Sequence, residues 1–263
     1  MRYRIFDPTG NVTALVEDAV EPALQPEAAA EIMRLHPEIE QVGFVSFEGA
    51  LPALRMAGGE FCGNASISAA ALLVMEKDLP VPAVIALSVS GAPEAVEVRL
   101  EQREGEIFRA AVRMPAAKSV ESRSFSFEAL QGDLTVVQME GISHILIEPD
   151  SPFFSLLPDR TDAETAVRLW CGELNADGLG LMFVSGDALT PLVFIPGSKT
   201  VFWETSCASG TAAVGIALAA ETDAKIDLTF DEPGGCLRVV SDPVSGETWL
   251  HGSTKLIKDE KQS

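Results

Sequence analysis

Two stretches of this chain follow one plan, and that plan limits how the chain can fold. The first reads Gly58-Gly59-Glu60-Phe61-Cys62-Gly63-Asn64-Ala65-Ser66 and runs into an Ala-rich apolar helical pattern from about Ile67 to Met75. The second reads Glu204-Thr205-Ser206-Cys207-Ala208-Ser209-Gly210-Thr211, followed by an apolar helix over roughly 212–220. In each, a strand pattern leads to a turn of small residues that holds a thiol, and then to a small-residue helix. The two cysteines stand 145 positions apart in 263 residues. Side-chain identity between the halves is low, so the repeat is one of plan rather than of sequence.

Strand patterns at 2–6 and 12–16 flank a turn at Pro8-Thr9-Gly10-Asn11, and Pro26 to Leu35 reads as a helix stopped by Pro37. Further strands fall at 42–47, 84–89, 94–100 and 107–113. The polar, aperiodic stretch Ala116–Ser122 reads as a linker. Beyond it come strands at 134–139 and 144–148, a helix at about 161–171, and strands at 180–184, 192–195 and 200–203. Short strands at 225–230, 236–240 and 254–257 end the chain. The expected fold is α+β with two pseudo-symmetric halves, 1–117 carrying Cys62 and 118–263 carrying Cys207. Each half is a mixed or antiparallel sheet curled around its apolar helix, and the active site is expected in the cleft between them.

Composition narrows the function. With 39 acidic against 19 basic residues, the net charge of −20 argues against nucleic-acid binding, which needs clustered Lys and Arg. No apolar run is long enough to span a bilayer, and the N-terminus lacks the pattern of a signal peptide, so a cytoplasmic protein without membrane attachment is expected. The four cysteines (Cys62, Cys171, Cys207 and Cys236) include no pair with zinc-knuckle or redox spacing, and reduced thiols are expected. Cys171 and Cys236 lack a helix start and read as structural.

A thiol just before a helix meets N–H groups that have no partner inside the helix, at the positive end of the helix dipole. Two expectations follow. The thiol pKa would fall from about 8.5 toward 7 or below. The N–H groups of Gly63, Asn64, Ala65, Ala208, Ser209 and Gly210 would cradle a substrate carboxylate. A phosphate site is disfavoured, because no Lys follows the glycines and no G-x-x-x-x-G-K-[ST] spacing occurs. A cysteine hydrolase would need a histidine partner. His36 and His251 read as helix-end and terminal-turn residues, and His144 in that role would leave the second cysteine turn unexplained. Paired thiols suit a different chemistry, in which an α-proton leaves one face of an amino acid and another returns to the opposite face, with one thiolate as base and the other thiol as acid.

At these turns the chain resembles the diaminopimelate epimerase family of pyridoxal-independent racemases, whose Cys-Gly-Asn-Gly and Cys-Gly-[Ser/Thr]-Gly turns appear here as Cys62-Gly63-Asn64-Ala65 and Cys207-Ala208-Ser209-Gly210. The resemblance implies a two-domain fold with one catalytic cysteine per domain. It also implies no metal and no pyridoxal phosphate, with Asn64 and both turns holding the α-carboxylate and α-amino end. Asn11 and Gln41 fall where that family contacts substrate. The family's Glu-Arg pair for the distal end of diaminopimelate is missing from Gly197-Ser198-Lys199-Thr200, and Ile142 replaces an Asn in Gly141-Ile142-Ser143-His144. Diaminopimelate is therefore disfavoured. A closer resemblance is to the histidine racemase branch, which supplies D-histidine for staphylopine-type metallophores. It rests on Asp7-Pro8-Thr9-Gly10-Asn11, Glu40-Gln41-Val42-Gly43-Phe44, Glu60-Phe61-Cys62-Gly63-Asn64-Ala65, Ser206-Cys207-Ala208-Ser209-Gly210-Thr211 and Pro233-Gly234-Gly235. Glu40 is a candidate partner for an imidazole or ammonium group. The alternatives are an epimerase of another amino acid, such as diaminopimelate or a proline derivative, and a non-catalytic amino-acid-binding protein. The expected partner is a small amino-acid substrate, and a homodimer remains open.

Overall fold

The computed structural model describes residues 1–197 and 199–261; Ser198, from the Gly197–Thr200 stretch, lies outside the described residues. In chain order the elements are β1 (Arg2–Asp7), β2 (Thr13–Val16), α1 (Gln25–Leu35), β3 (Gln41–Ser46), β4 (Ala53–Met56), α2 (Gly63–Glu76), β5 (Ala83–Val89), β6 (Val96–Glu104) and β7 (Ile107–Arg113). Then follow β8 (Ser119–Phe127), β9 (Leu130–Gln138), β10 (Ser143–Ile147), α3 (Arg160–Leu174), β11 (Leu179–Ser185), β12 (Ala188–Ile195), β13 (Thr200–Trp203), α4 (Ala208–Thr222), β14 (Ile226–Glu232), β15 (Gly235–Asp242) and β16 (Glu247–Lys261). The chain divides into two compact units, 1–114 with 249–263, and 115–248.

In the first unit the strands run β1-β2-β3-β4-β5-β6-β7-β16, and β16 pairs back onto β1, so the sheet closes on itself. The pairs β2–β3 and β4–β5 are parallel; the rest are antiparallel. Inside lies α2, buried from Gly63 to Val74. A helix apolar on every side needs cover on every side, and its Ala and Ser side chains let the surrounding strands approach. The amphipathic α1 packs outside, adding Ala29 and Ile32 to a core with Tyr3, Ile5, Val42 and Phe44.

In the second unit the order is β8-β9-β10-β11-β12-β14-β15, with β13 beside β12. The strand period of two divides the side chains between faces. Ile145, Ile147, Leu179, Leu181 and Phe183 pack with Trp170 of α3. The residues between them, including His144, Gly180 and Met182, face the other way, where α4 packs along β9, β10, β11, β14 and β15.

Four expectations change. The stretch read as a linker is mostly strand: residues from Ser119 pair with β9, and only Phe125 and Phe127 enter the core, so polar exposed positions hid the period. The last strand does not stay with the second half; from Trp249 onward it pairs with β7 and β1 and belongs to the first unit. His251 accordingly sits in β16 opposite Ala111 rather than in a terminal turn. Both small-residue helices begin directly after their cysteines, about four residues earlier than apolar periodicity indicates.

Candidate active site

Each cysteine is the N-cap of its helix. Cys62 leaves the strand region at φ −135°, ψ 113°, and its Sγ accepts the N–H of Ala65 at 3.4 Å. Cys207 does so at φ −127°, ψ 98°, and its Sγ accepts the N–H of Gly210 at 3.4 Å. The match extends one turn further. Ser66 N–H and Oγ–H donate to the Cys62 carbonyl at 3.0 and 2.7 Å, and Thr211 places its N and Oγ1 each 2.9 Å from the Cys207 carbonyl. Low-identity halves thus build the same thiol-capped helix start. The sulfurs occupy the N–H groups of Ala65 and Gly210, two of those expected to form an open cradle. Gly63, Asn64, Ala208 and Ser209 complete the two first turns, all four buried.

In the first unit one predicted residue, Gln41, reaches Cys62. Parallel pairing of β2 and β3 sets Thr13 opposite Gln41. Thr13 Oγ1 accepts from Gln41 Nε2 at 2.8 Å and donates to the Asn11 carbonyl at 2.9 Å. So held, the Gln41 amide turns its Oε1 to Cys62, whose thiol donates to it at 3.2 Å. The Glu40 N–H donates to the Val12 carbonyl at 2.9 Å. Behind the thiol loop, Ser90 Oγ donates to the Glu60 carbonyl at 2.8 Å and accepts the Met56 N–H at 2.9 Å. The Glu60 carboxyl is held above the usual carboxylate range by burial.

In the second unit Cys207 is buried, 4% exposed, and its environment overturns the expected pKa. Burial pushes the thiol well above its ordinary range, and the carboxylates of Glu204 and Glu232 add to the rise. The magnitudes explain the outcome. A helix start stabilises an anion by about 0.3–2 kcal/mol. Full burial moves a titrating group by up to about 3–5 pK units, at roughly 1.4 kcal/mol each. Burial wins, and Cys207 rests as the protonated thiol. Glu204, three residues before the cysteine, exchanges a side-chain hydrogen bond with it. Glu232 comes from β14: its Oε2 accepts the Cys207 N–H at 2.7 Å, and its Oε1 lies 2.5 Å from Thr211 Oγ1. Burial raises the Glu232 carboxyl to about 8. A Cβ at Gly210 would fall 2.1 Å from Met182 Sδ, so Met182 would have to shift to admit one.

Sequence reading missed Thr13, Glu204 and Glu232. The signals were slight: a hydroxyl two places after Asn11, an acid three places before the thiol, and an acid heading Pro233-Gly234-Gly235. The other two cysteines stand apart from these caps. Cys171 is core beside Trp170. Cys236 is exposed and donates to Asp231 at 2.8 Å, linking β15 to β14 rather than filling a core. Among the described residues no group of three His, Cys, Asp or Glu side chains is arranged to hold a metal, and no helix is long and apolar enough to cross a membrane.

The model of the histidine racemase CntK N-terminal domain matches residues 1–249. This chain belongs to the histidine racemase family. A histidine racemase of Fusobacterium nucleatum is 30% identical over 270 residues, covering 97% of this chain and 94% of that protein. One of Staphylococcus aureus is 28% identical over 247 residues, with 92% and 88% covered. Among solved structures, a probable proline racemase of Agrobacterium radiobacter superposes with a TM-score of 0.75 at 12% identity, over 100% of this chain and 92% of that one. A hydroxyproline epimerase of Agrobacterium vitis gives 0.71 at 14% identity, over 99% and 91%. These likenesses show that this chain shares its fold with those two solved structures.

Proposed function

We propose that this chain interconverts L- and D-histidine without a cofactor, with Cys62 and Cys207 as the two acid–base groups at the α-carbon. Family membership supports the substrate. The observation that carries the mechanism is the doubled cap, one thiol at the start of one buried helix in each unit, with identical hydrogen bonding. A single base does not easily serve both faces of a carbon, whereas two do.

In the forward step the thiolate of one cysteine takes the α-proton, the C–H electron pair moves into the carboxylate, and the thiol of the other cysteine delivers its proton to the opposite face. Net charge is unchanged, and the two sulfurs exchange protonation states. The N–H groups of both first turns, with Asn11 and Asn64, hold the carboxylate and α-amino end as charge builds in the transition state. Glu40 pairs with the imidazole. Burial favours the protonated form of Cys207, so Cys207 is the proton donor in the first turnover from one enantiomer, once Cys62 has lost its own proton to solvent and become the thiolate base. In the other direction it must first ionise. Both thiols stay reduced in the cytoplasm, and the product suits a metallophore-building pathway.

The test is α-deuteration in heavy water with a panel of L-amino acids, read together with chirality. Histidine should exchange at least tenfold faster than the others, and Cys62→Ser and Cys207→Ser should each lower racemisation at least a hundredfold. Histidine reacting no faster than the rest overturns the substrate assignment, and full activity in either serine variant overturns the two-thiol mechanism. Single replacements should be tried with both enantiomers, since one remaining base can still wash out a proton from one hand.

A further inference from the structure

We propose that Glu232 is a positioning residue for the Cys207 thiol, completing from β14 the capping box that α4 cannot complete itself. In a capping box the N-cap side chain accepts the N3 N–H, and a carboxyl at N3 reaches back to the N-cap N–H. Cys207 Sγ makes the first of these bonds. The second has no local source, because N3 is Gly210, which has no side chain to reach back. Glu232, 25 residues on, supplies the missing acceptor at 2.7 Å. The turn that follows fastens the same loop again, with Gly234 N–H donating to the Thr205 carbonyl at 2.7 Å.

Proton accounting shows the form in which Glu232 does this. Thr211 Oγ1 lies 2.9 Å from the Cys207 carbonyl and 2.5 Å from Glu232 Oε1, and a hydroxyl has one hydrogen for two acceptors. A neutral carboxyl resolves the conflict: its O–H donates to Thr211, and Thr211 donates to Cys207. Glu232 is 7% exposed, and its pKa of about 8 agrees with the neutral form at pH 7. Loss of that proton turns the one Thr211 hydroxyl hydrogen from the Cys207 carbonyl to the carboxylate and places a negative charge beside the thiol, which alters its reactivity. Cys207 and Glu204 are the titrating groups acting beside it. Asp231 and Cys236, its neighbours on β14 and β15, pair with each other on the exposed face, and His144, facing α4 from β10, stays neutral.

The inference rests on the two-thiol reading, so the test carries a readout independent of racemisation: site-resolved alkylation of Cys207 by iodoacetamide between pH 6 and 10, followed by mass spectrometry, with Cys62 as internal reference. Glu232→Leu should lower kcat for histidine at least tenfold at pH 7 with KM changed less than threefold, and should alter Cys207 alkylation at least fivefold without altering that of Cys62. Glu232→Gln accepts from Cys207 and donates to Thr211 as the neutral acid does. It should restore most of the lost kcat and abolish the inflection near pH 8 expected of the wild type in both kcat and alkylation. An inflection persisting unchanged in Glu232→Gln overturns the proposal, as does a wild-type profile in Glu232→Leu. Should the Leu variant fail to fold, the pH profile of Glu232→Gln decides alone. Should the protein not racemise histidine, the alkylation profile still decides.

Discussion

The imidazole of His144 is fully buried on β10, and neither ring nitrogen has a hydrogen-bond partner among the described residues. Beside it lies Gly180, where an added Cβ would press on both that ring and Met182. Burial alone lowers its pKa to about 3, so at neutral pH it is an uncharged ring stored on the α4 side of the sheet. The sign of the stability effect follows. An unfolded histidine takes up a proton near 6.5 and the folded one near 3, so between those values the unfolded state binds more protons. Stability therefore falls as pH drops through that window, by up to about 1.4 kcal/mol per pH unit. His144→Leu, of similar size and without an unsatisfied nitrogen, should unfold at the same or higher denaturant concentration at pH 7. Its advantage over the wild type should widen at pH 5 and again at pH 4. Urea titrations of both proteins at the three pH values check this; a constant difference would mean that burial is not what holds the ring neutral.

At the scale of elements, the thiol turns were the legible part of the site. Cys62 and Cys207 stand out because small residues before an apolar run announce a helix start, and the structure puts each sulfur on the N3 N–H. Gln41 was pointed to by resemblance, and the pairing of β2 with β3 sets it opposite Thr13, from where its amide reaches Cys62. Glu232 and the elevated Cys207 pKa were not legible, because both depend on a strand that arrives 25 residues later and on how completely it excludes water. Glycines in helices show the same divide between local and tertiary information. Propensity treats Gly172 in α3 and Gly215 in α4 alike, each costing up to about 1 kcal/mol relative to Ala. A Cβ at Gly172 meets nothing within 4 Å, whereas one at Gly215 would fall 2.5 and 2.9 Å from the methyls of Val239, a branched side chain with little freedom to move. Gly172→Ala should therefore stabilise the protein by roughly 0.5–1 kcal/mol, and Gly215→Ala should destabilise it by about 1–3 kcal/mol through overpacking. Thermal melts of the two variants would separate these readings, and equal shifts of one sign would show that α4 is not packed so tightly against β15.

At the scale of the whole molecule, two halves were legible in the repeated plan, but the return of the last strand to the first unit was not. Nothing local in Trp249–Lys258 marks its destination; it is decided by which sheet has unpaired edges. In the first unit those edges are β1 and β7, and β16 bonds to both: Leu250 opposite Val112, Thr254 opposite Phe108, Leu256 opposite Phe6. The strand also fills the interior. Leu250 is wholly buried, and Thr254 Oγ1 lies 2.8 Å from Ser68 Oγ of α2, tying the central helix to the closing strand. Ending the chain after Thr248 would remove both functions, exposing two bare strand edges, which invite aggregation, and one flank of α2. The second unit, 115–248, would lose no residue. Limited proteolysis of the truncated chain should therefore cut within 1–114 at least tenfold faster than in the full chain, while fragments spanning 115–248 persist. Equal resistance of both segments would mean that α2 and its other strands hold the first unit without the closing strand, and that ring closure is a consequence of the fold rather than a support for it.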